Sequence, residues 1–140
     1  VLAFLSEELR NRGVEVERAM EAVPAIRGDG AKLQQLFLNL FLNAADAMPE
    51  GGKLRVSLEA RDSRAVEVRV ADTGTGIPPE TLAKIFEPFF TSKPRGKGSG
   101  LGLAVAKGIV SDHDGRIAVA SEPGKGTEFL VSFPIGEISG

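Results

Sequence analysis

Apolar positions in this chain follow two different periods, and the changes between them mark its elements. Leu33, Leu36, Phe37, Leu40 and Ala44 recur at helical spacing and share one face. Leu38, Leu42 and Ala45 cover much of the opposite side, which predicts a helix buried on most of its circumference. It starts near Asp29, a suitable N-cap, and Pro49-Glu-Gly-Gly52 ends it. Before it, residues 1–11 read as an amphipathic helix with Leu2, Leu5 and Leu9 on one side, and Gly13 to Arg18 as a strand. After it, Leu54, Val56, Leu58 and Ala60 alternate with polar residues, as do Val66, Val68 and Val70 beyond Asp62-Ser63. This pair predicts an antiparallel hairpin with one wet face. Pro79 to Ile85 reads as a short helix and Leu101 to Asp112 as a longer one. Gly115 to Ala120 and Thr127 to Phe133 read as a second hairpin around Glu122-Pro-Gly-Lys-Gly126. The order α-β-α-ββ-α-α-ββ predicts an α+β fold: a two-layer sandwich whose mixed, mostly antiparallel sheet carries helices on one face.

Composition narrows the function without naming it. The chain has 140 residues, 42% of them hydrophobic and 26% charged, as expected of one globular domain spanning residues 1–140. A net charge of −2 provides no basic field for nucleic acid or an anionic membrane. The absence of cysteine removes disulfides and thiolate chemistry, and it suits a reducing, cytoplasmic compartment. No apolar run of about 18 residues predicts a membrane span in this segment. The opening VLAFLSEELRNRG starts mid-pattern without Met and reads as a piece of a longer parent, which leaves open a membrane anchor elsewhere in it.

Chemistry concentrates in four places. On the long helix, Asn39, Asn43 and Asp46 form one polar stripe. A buried amide without a partner costs about 1–3 kcal/mol, so the stripe implies either a satisfied structural network or a bound ligand or metal. Asp72-Thr-Gly-Thr-Gly-Ile-Pro78 places a carboxylate at the end of a strand, where it accepts hydrogen bonds from a group such as an exocyclic amine. Gly74 and Gly76 permit close approach to a flat ring; the plainer reading is a strand-to-helix turn. Gly96-Lys-Gly-Ser-Gly-Leu-Gly-Leu103 runs into a helix and exposes backbone N–H groups suited to phosphate. Lys93, Arg95 and Lys97 flank it, either as phosphate contacts or as a solvated loop. The spacing is neither that of a Walker A loop nor that of a Rossmann turn. Phe86-Glu-Pro-Phe-Phe-Thr-Ser-Lys93 reads as the anchor of a lid, with core packing the alternative for Phe86.

In order, QQLFLNLFLNAADA, DTGTGIP, FEPFF, GSGLGLA and GKGTEF resemble the N, first glycine, F, second and third glycine boxes of the sensor histidine kinase ATP-binding domain. That domain belongs to the superfamily of DNA gyrase, the heat-shock chaperone ATPase and MutL, and the similarity covers essentially the whole chain. The undivided FEPFFTSKP is similar to nitrogen-regulator-type kinases. The resemblance implies a Bergerat-type fold, ATP and Mg²⁺ as cofactors, and a monomeric isolated domain. It implies that Asn43 holds Mg²⁺ and that Asn39 lines the same catalytic site with Asp46 nearby. Asp72 would bond the adenine amine, Gly74, Gly76 and Ile77 would shape the pocket, and Thr127 would lie near the ring. Gly100 and Gly102, with Leu101 and Leu103, would form the hinge and the helix start beneath the phosphates, after a lid running roughly from Thr91 to Ser99 that includes Gly98 and Ser99; Lys93 as a phosphate contact comes from the residues themselves and not from the resemblance.

The implied partners are a phosphoacceptor histidine on dimerisation helices of the same parent protein, and then a response regulator receiver domain. Hydrolysing members of the superfamily carry a Glu where this chain has Asn39, and an amide is not a base at neutral pH. Phosphoryl transfer is therefore favoured over ATPase work; an anti-sigma-factor-type serine kinase is the other reading. Many histidine kinases place Lys or Arg and Tyr where Asp46 and Ala47 stand here, which shifts phosphate neutralisation to Mg²⁺, helix amides and lid cations. His113 lacks the His-Glu pair of an acceptor and reads as structural.

Overall fold

A computed structural model describes residues 9–11, 13–20, 30–60, 65–87 and 102–134. Among the described residues, the helical end at 9–11 and the helices α1 (Gly30–Asp46), α2 (Pro79–Leu82) and α3 (Gly102–Asp112) accompany five strands. The strands are β1 (Val14–Met20), β2 (Gly52–Ala60), β3 (Ala65–Asp72), β4 (Arg116–Glu122) and β5 (Gly126–Pro134). They form one sheet in the order β1-β2-β3-β5-β4. Among the described residues, β1 and β2 pair in parallel and the other three pairings are antiparallel. The mixed α+β sheet expected from the sequence is therefore present.

Period-two alternation becomes one apolar sheet face. Across the strands, Val56, Val70, Phe129 and Val119 stand in one row, and Leu58, Val68, Val131 and Ile117 in the next. These side chains pack beneath α1 and α3, which lie side by side. From α1, Leu36, Leu40, Phe41, Ala44 and Ala45 enter the core, followed by Met48 just past its end. Phe41, absent from the face read in the sequence, is 3% exposed, whereas Phe37 is partly exposed and stacks on it at 6.2 Å. The wet face is also less wet than its alternation predicts. Glu67 is buried there, with its carboxylate 3.6 Å from Arg69, which also pairs with Glu128 at 3.2 Å.

Some boundaries move. The short helix expected through Ile85 closes at Leu82. Beyond it the chain continues in tight turns, with Lys84 N–H on Thr81 O and Glu87 N–H on Lys84 O, both 2.9 Å. Those turns bring Ile85 into the core without an α-helical repeat. α1 ends at Asp46; Ala47 and Met48 donate three residues back, to Ala44 and Ala45, which tightens the last turn. The expected N-cap Asp29, the Asp62-Ser63 turn and residues 1–8 of the first helix lie outside the described residues.

Candidate functional site

The apolar sheet face breaks at one row. Where β2 contributes Leu54, the next three strands contribute Asp72, Thr127 and Ser121 side by side. Asp72 continues the inward series Val66, Val68, Val70, and Thr127 the series Phe129, Val131, Phe133. Both polar residues are buried, at 7% and 5% exposure.

The turn after β3 is held from two sides. Gly74 lies so close to Ala47, just past α1, that a Cβ there would collide with the Ala47 carbonyl. Thr75 N–H donates to that same carbonyl at 3.0 Å, and Thr75 O accepts Gly124 N–H from the β4–β5 turn at 2.7 Å. Gly76 adopts φ +77° against the Glu122 carbonyl, a conformation and clearance that only glycine provides. Ile77 N–H donates to Ser121 Oγ at 2.7 Å. Thr73 Oγ1 accepts Lys53 N–H at 3.0 Å. The end of α1, the glycine turn and the β4–β5 hairpin therefore meet around the polar row.

Asp72 carries the electrostatics of this row. Burial pushes its carboxyl above the usual carboxylate value, opposed by N–H groups of Gly74 and Thr127. The Gly74 bond to Oδ1 is 2.8 Å. A desolvated carboxylate at the mouth of an apolar layer is an acceptor placed for a donor-bearing ligand.

Of the residues singled out in the sequence, Asp72, Gly74, Gly76, Ile77 and Thr127 come together here. Asn39 and Asn43 are half-buried on α1, and Asp46 is exposed at its last residue. Asn43 lies one turn before Ala47, whose N–H donates to its carbonyl at 3.1 Å. Its carboxamide makes no hydrogen bond to the described residues. Gly102 opens α3, and Leu103 packs partly buried on the core. Lys93, Gly98, Ser99, Gly100 and Leu101 lie outside the described residues, as do Arg95 and Lys97. Phe86 packs edge-on to Phe129 at 6.4 Å, with Lys107 Nζ 5.4 Å above its ring, so its part in the structure is an anchor against α3 and the sheet. Ser121 went unnoticed in the sequence. A serine at the end of an alternating strand carries no signal until its neighbours are known.

A nucleotide with its magnesium fits these residues. Mg²⁺ keeps phosphate oxygens and waters and needs only one or two protein ligands. Among the described residues there is no cluster of three acidic or imidazole ligands, and the amide of Asn43, with no partner among them, could supply one oxygen. At Gly74 and Gly76 the place a side chain would take is already filled by the Ala47 and Glu122 carbonyls, so the turn packs there as bare backbone.

The chain is similar to known proteins over nearly its whole length. Residues 28–137 match the family of histidine kinase-, DNA gyrase B-, and HSP90-like ATPases. Sporulation kinase A of Bacillus subtilis is 42% identical over 135 residues, covering 96% of this chain and 22% of that protein. The chain thus spans about a fifth of the length of that curated relative. Full-length ShkA, solved in complex with AMPPNP, superposes with a TM-score of 0.85 at 32% identity, covering 99% of this chain and 29% of that one. Histidine kinase ThkA, solved in complex with the response regulator protein TrrA, gives 0.79 at 28% identity, covering 96% and 38%.

Proposed function

Because the chain belongs to the family of histidine kinase-, DNA gyrase B-, and HSP90-like ATPases, we propose that residues 1–140 form the catalytic, ATP-binding domain of a two-component sensor histidine kinase. The observation that carries this reading is the polar row Asp72–Thr127–Ser121 at the end of an apolar sheet face, beneath the glycine turn and the last turn of α1.

Each residue has a task in that reading. Asp72 accepts the adenine amine, while Gly74, Gly76 and Ile77 give the ring a backbone wall. Gly102 and Leu103 bring the N-terminal end of α3, with its free N–H groups and positive dipole, toward the phosphates. Asn43 would hold Mg²⁺, which when bound neutralises phosphate charge. Asn39, Asp46, Gly98, Ser99, Gly100, Leu101 and Lys93 complete the site. Asn39 stands where a base would be needed to activate water, so the γ-phosphate is kept for a histidine. That acceptor lies on dimerisation helices of the parent protein, and a response regulator receives the group afterwards. The relative solved with AMPPNP supports nucleotide binding, and the one solved with a response regulator supports that partner. The Phe86-Glu-Pro-Phe-Phe box supports a nitrogen-regulator-type kinase. The isolated domain is a monomer and works in the cytoplasm, whether or not its parent is anchored in a membrane.

Titration calorimetry with ATP and Mg²⁺ tests the site. Wild-type chain binds, whereas Asp72→Ala and Asn43→Ala lose at least about tenfold in affinity while keeping the far-ultraviolet spectrum of the fold. Unchanged affinity in both variants would refute the assignment.

A further inference from the structure

The hydroxyl of Ser121 makes three contacts but owns one proton. Its Oγ lies 2.7 Å from Ile77 N, 2.9 Å from Gly126 O and 2.8 Å from Thr127 Oγ1. A hydroxyl donates once and accepts twice. The Gly126 carbonyl can only accept, so the Ser121 proton goes there. Ile77 N–H can only donate, so it fills one lone pair. The third contact is then satisfied in one way: Thr127 O–H donates to Ser121 Oγ. The reverse assignment would set two acceptor oxygens, Ser121 Oγ and Gly126 O, against each other at 2.9 Å.

The consequence falls on Thr127. Its proton is committed to Ser121, and its Oγ1 has no other partner among the described residues. Its own N–H already supports the Asp72 carboxyl. What remains on Oγ1 is lone pairs. Next to it in the same row stands Asp72, also an acceptor when ionised. Resting on the adenine-site reading above, we propose that Ser121 is a positioning residue that locks the Thr127 hydroxyl as an acceptor, so that the floor of the site presents acceptors only and rejects purines carrying a 6-oxo group. A purine 6-amino group, or a water donating from it, meets this floor favourably. A 6-oxo group brings a further acceptor, which an acceptor-only surface leaves unpaired. Selectivity is thus set by a residue that itself need not touch the base.

The test is the ratio of ADP to IDP affinity, measured by calorimetry with Mg²⁺ on the whole chain. In Ser121→Ala the Thr127 proton is released and the hydroxyl can turn to donate to a 6-oxo group. The ADP preference should narrow by about tenfold, the worth of one such hydrogen bond. Ser121→Thr, which keeps the hydroxyl, should retain the wild-type ratio. A merely structural Ser121 would weaken both nucleotides by the same factor, and that result overturns the proposal. Thr127→Val provides the second arm should Ser121→Ala not fold. It should also narrow the ratio, and an unchanged ratio there overturns the proposal. Where both single variants fold, the double variant should narrow the ratio no further, and additive losses overturn the proposal as well. A wild-type chain that binds neither nucleotide overturns the purine-site reading and this proposal with it. A wild type that prefers ADP, alongside a Ser121→Ala variant with the same preference, overturns the role of Ser121 alone.

Discussion

Replacing Asp114 by asparagine or glycine should stabilise the fold, by an amount that the end of α3 allows to be divided into parts. The helix closes with Gly115 N–H on Val110 O at 2.9 Å and Asp114 N–H on Ser111 O at 3.0 Å. These two bonds define a cap in which Asp114 occupies the left-handed position, with φ +58°, the one non-glycine residue with positive φ among the described residues. A residue with a Cβ pays about 1 kcal/mol there, and aspartate somewhat less. The carboxylate also sits at the negative end of the helix dipole beside Asp112, with no basic residue in the last turn, which costs about 0.3–1 kcal/mol. Asp114→Asn removes the charge and keeps the backbone tolerance, so it isolates the second amount. Asp114→Gly removes both costs but adds about 0.5–1 kcal/mol of unfolded-state entropy. The net gains are about 0.5 kcal/mol for Asn and about 0.5–1 kcal/mol for Gly, or up to about 4 °C in Tm. Asp114→Val, branched at Cβ, should lose at least about 1 kcal/mol. Urea unfolding with a common m-value measures all three. In 1 M salt the Asn gain should vanish while the Gly-minus-Asn difference persists, since screening then acts within about 3 Å. A glycine variant less stable than wild type, or a valine variant equal to it, would show that the cap strain is misjudged.

Further expectations concern the site. Burial raises the Asp72 carboxyl above its unfolded value, so the protonated form is the one that folding favours. Stability from this group is fully present below the unfolded value of 3.8 and is lost as pH rises through the raised folded value. Asp72→Asn should therefore match wild type in acid and exceed it at neutral pH, by no more than about 2 kcal/mol, while losing ATP; a stability gain that does not grow with pH contradicts this. Asn39→Glu should raise ATP hydrolysis, read as phosphate release, and no gain would weaken the positional argument for transfer over hydrolysis. His113 donates from Nδ1 to Ile109 O at 2.8 Å and packs edge-on to Phe133 at 6.1 Å, so His113→Ala should lower Tm without changing phosphate transfer. Labelled ATP leaving stable phosphate on His113 would reverse that assignment.

Elements defined by a period were legible in the sequence, and those defined by a neighbour were not. Val66, Val68 and Val70 alternate because a sheet has two faces, and β3 forms where they do. The burial of Phe41 in place of Phe37 was not legible, because an almost wholly apolar helix leaves its rotation to be set by what packs on it. The end of α2 was missed for a related reason. Ile85 is apolar at helical spacing from Leu82, yet tight turns bury it as well as a helix would. Alternation puts Glu67 on the wet face, because it assigns faces but not the partners that let a carboxylate be buried, among them Arg69.

The site divides along the same line. Asp72, Gly74 and Gly76 announce themselves because a carboxylate ending a strand before two glycines is locally odd. Thr127 was placed only through resemblance. Ser121 had neither signal: its spacing fits an ordinary strand, and its meaning arises because β4 and β5 pair it with Thr127 while the glycine turn, 44 residues earlier, delivers Ile77 N–H to the same oxygen. Such a site has to be assembled late. Gly74 and Gly76 pack against Ala47 O and Glu122 O, so the glycine turn is shaped by one contact from α1 and another from the hairpin that follows. Neither contact exists in β3 alone. The turn should therefore gain its geometry only once α1 and β4–β5 have docked, and proton exchange at Thr75, whose N–H donates to Ala47 O, and at Ile77, whose N–H donates to Ser121 Oγ, should slow together rather than one by one.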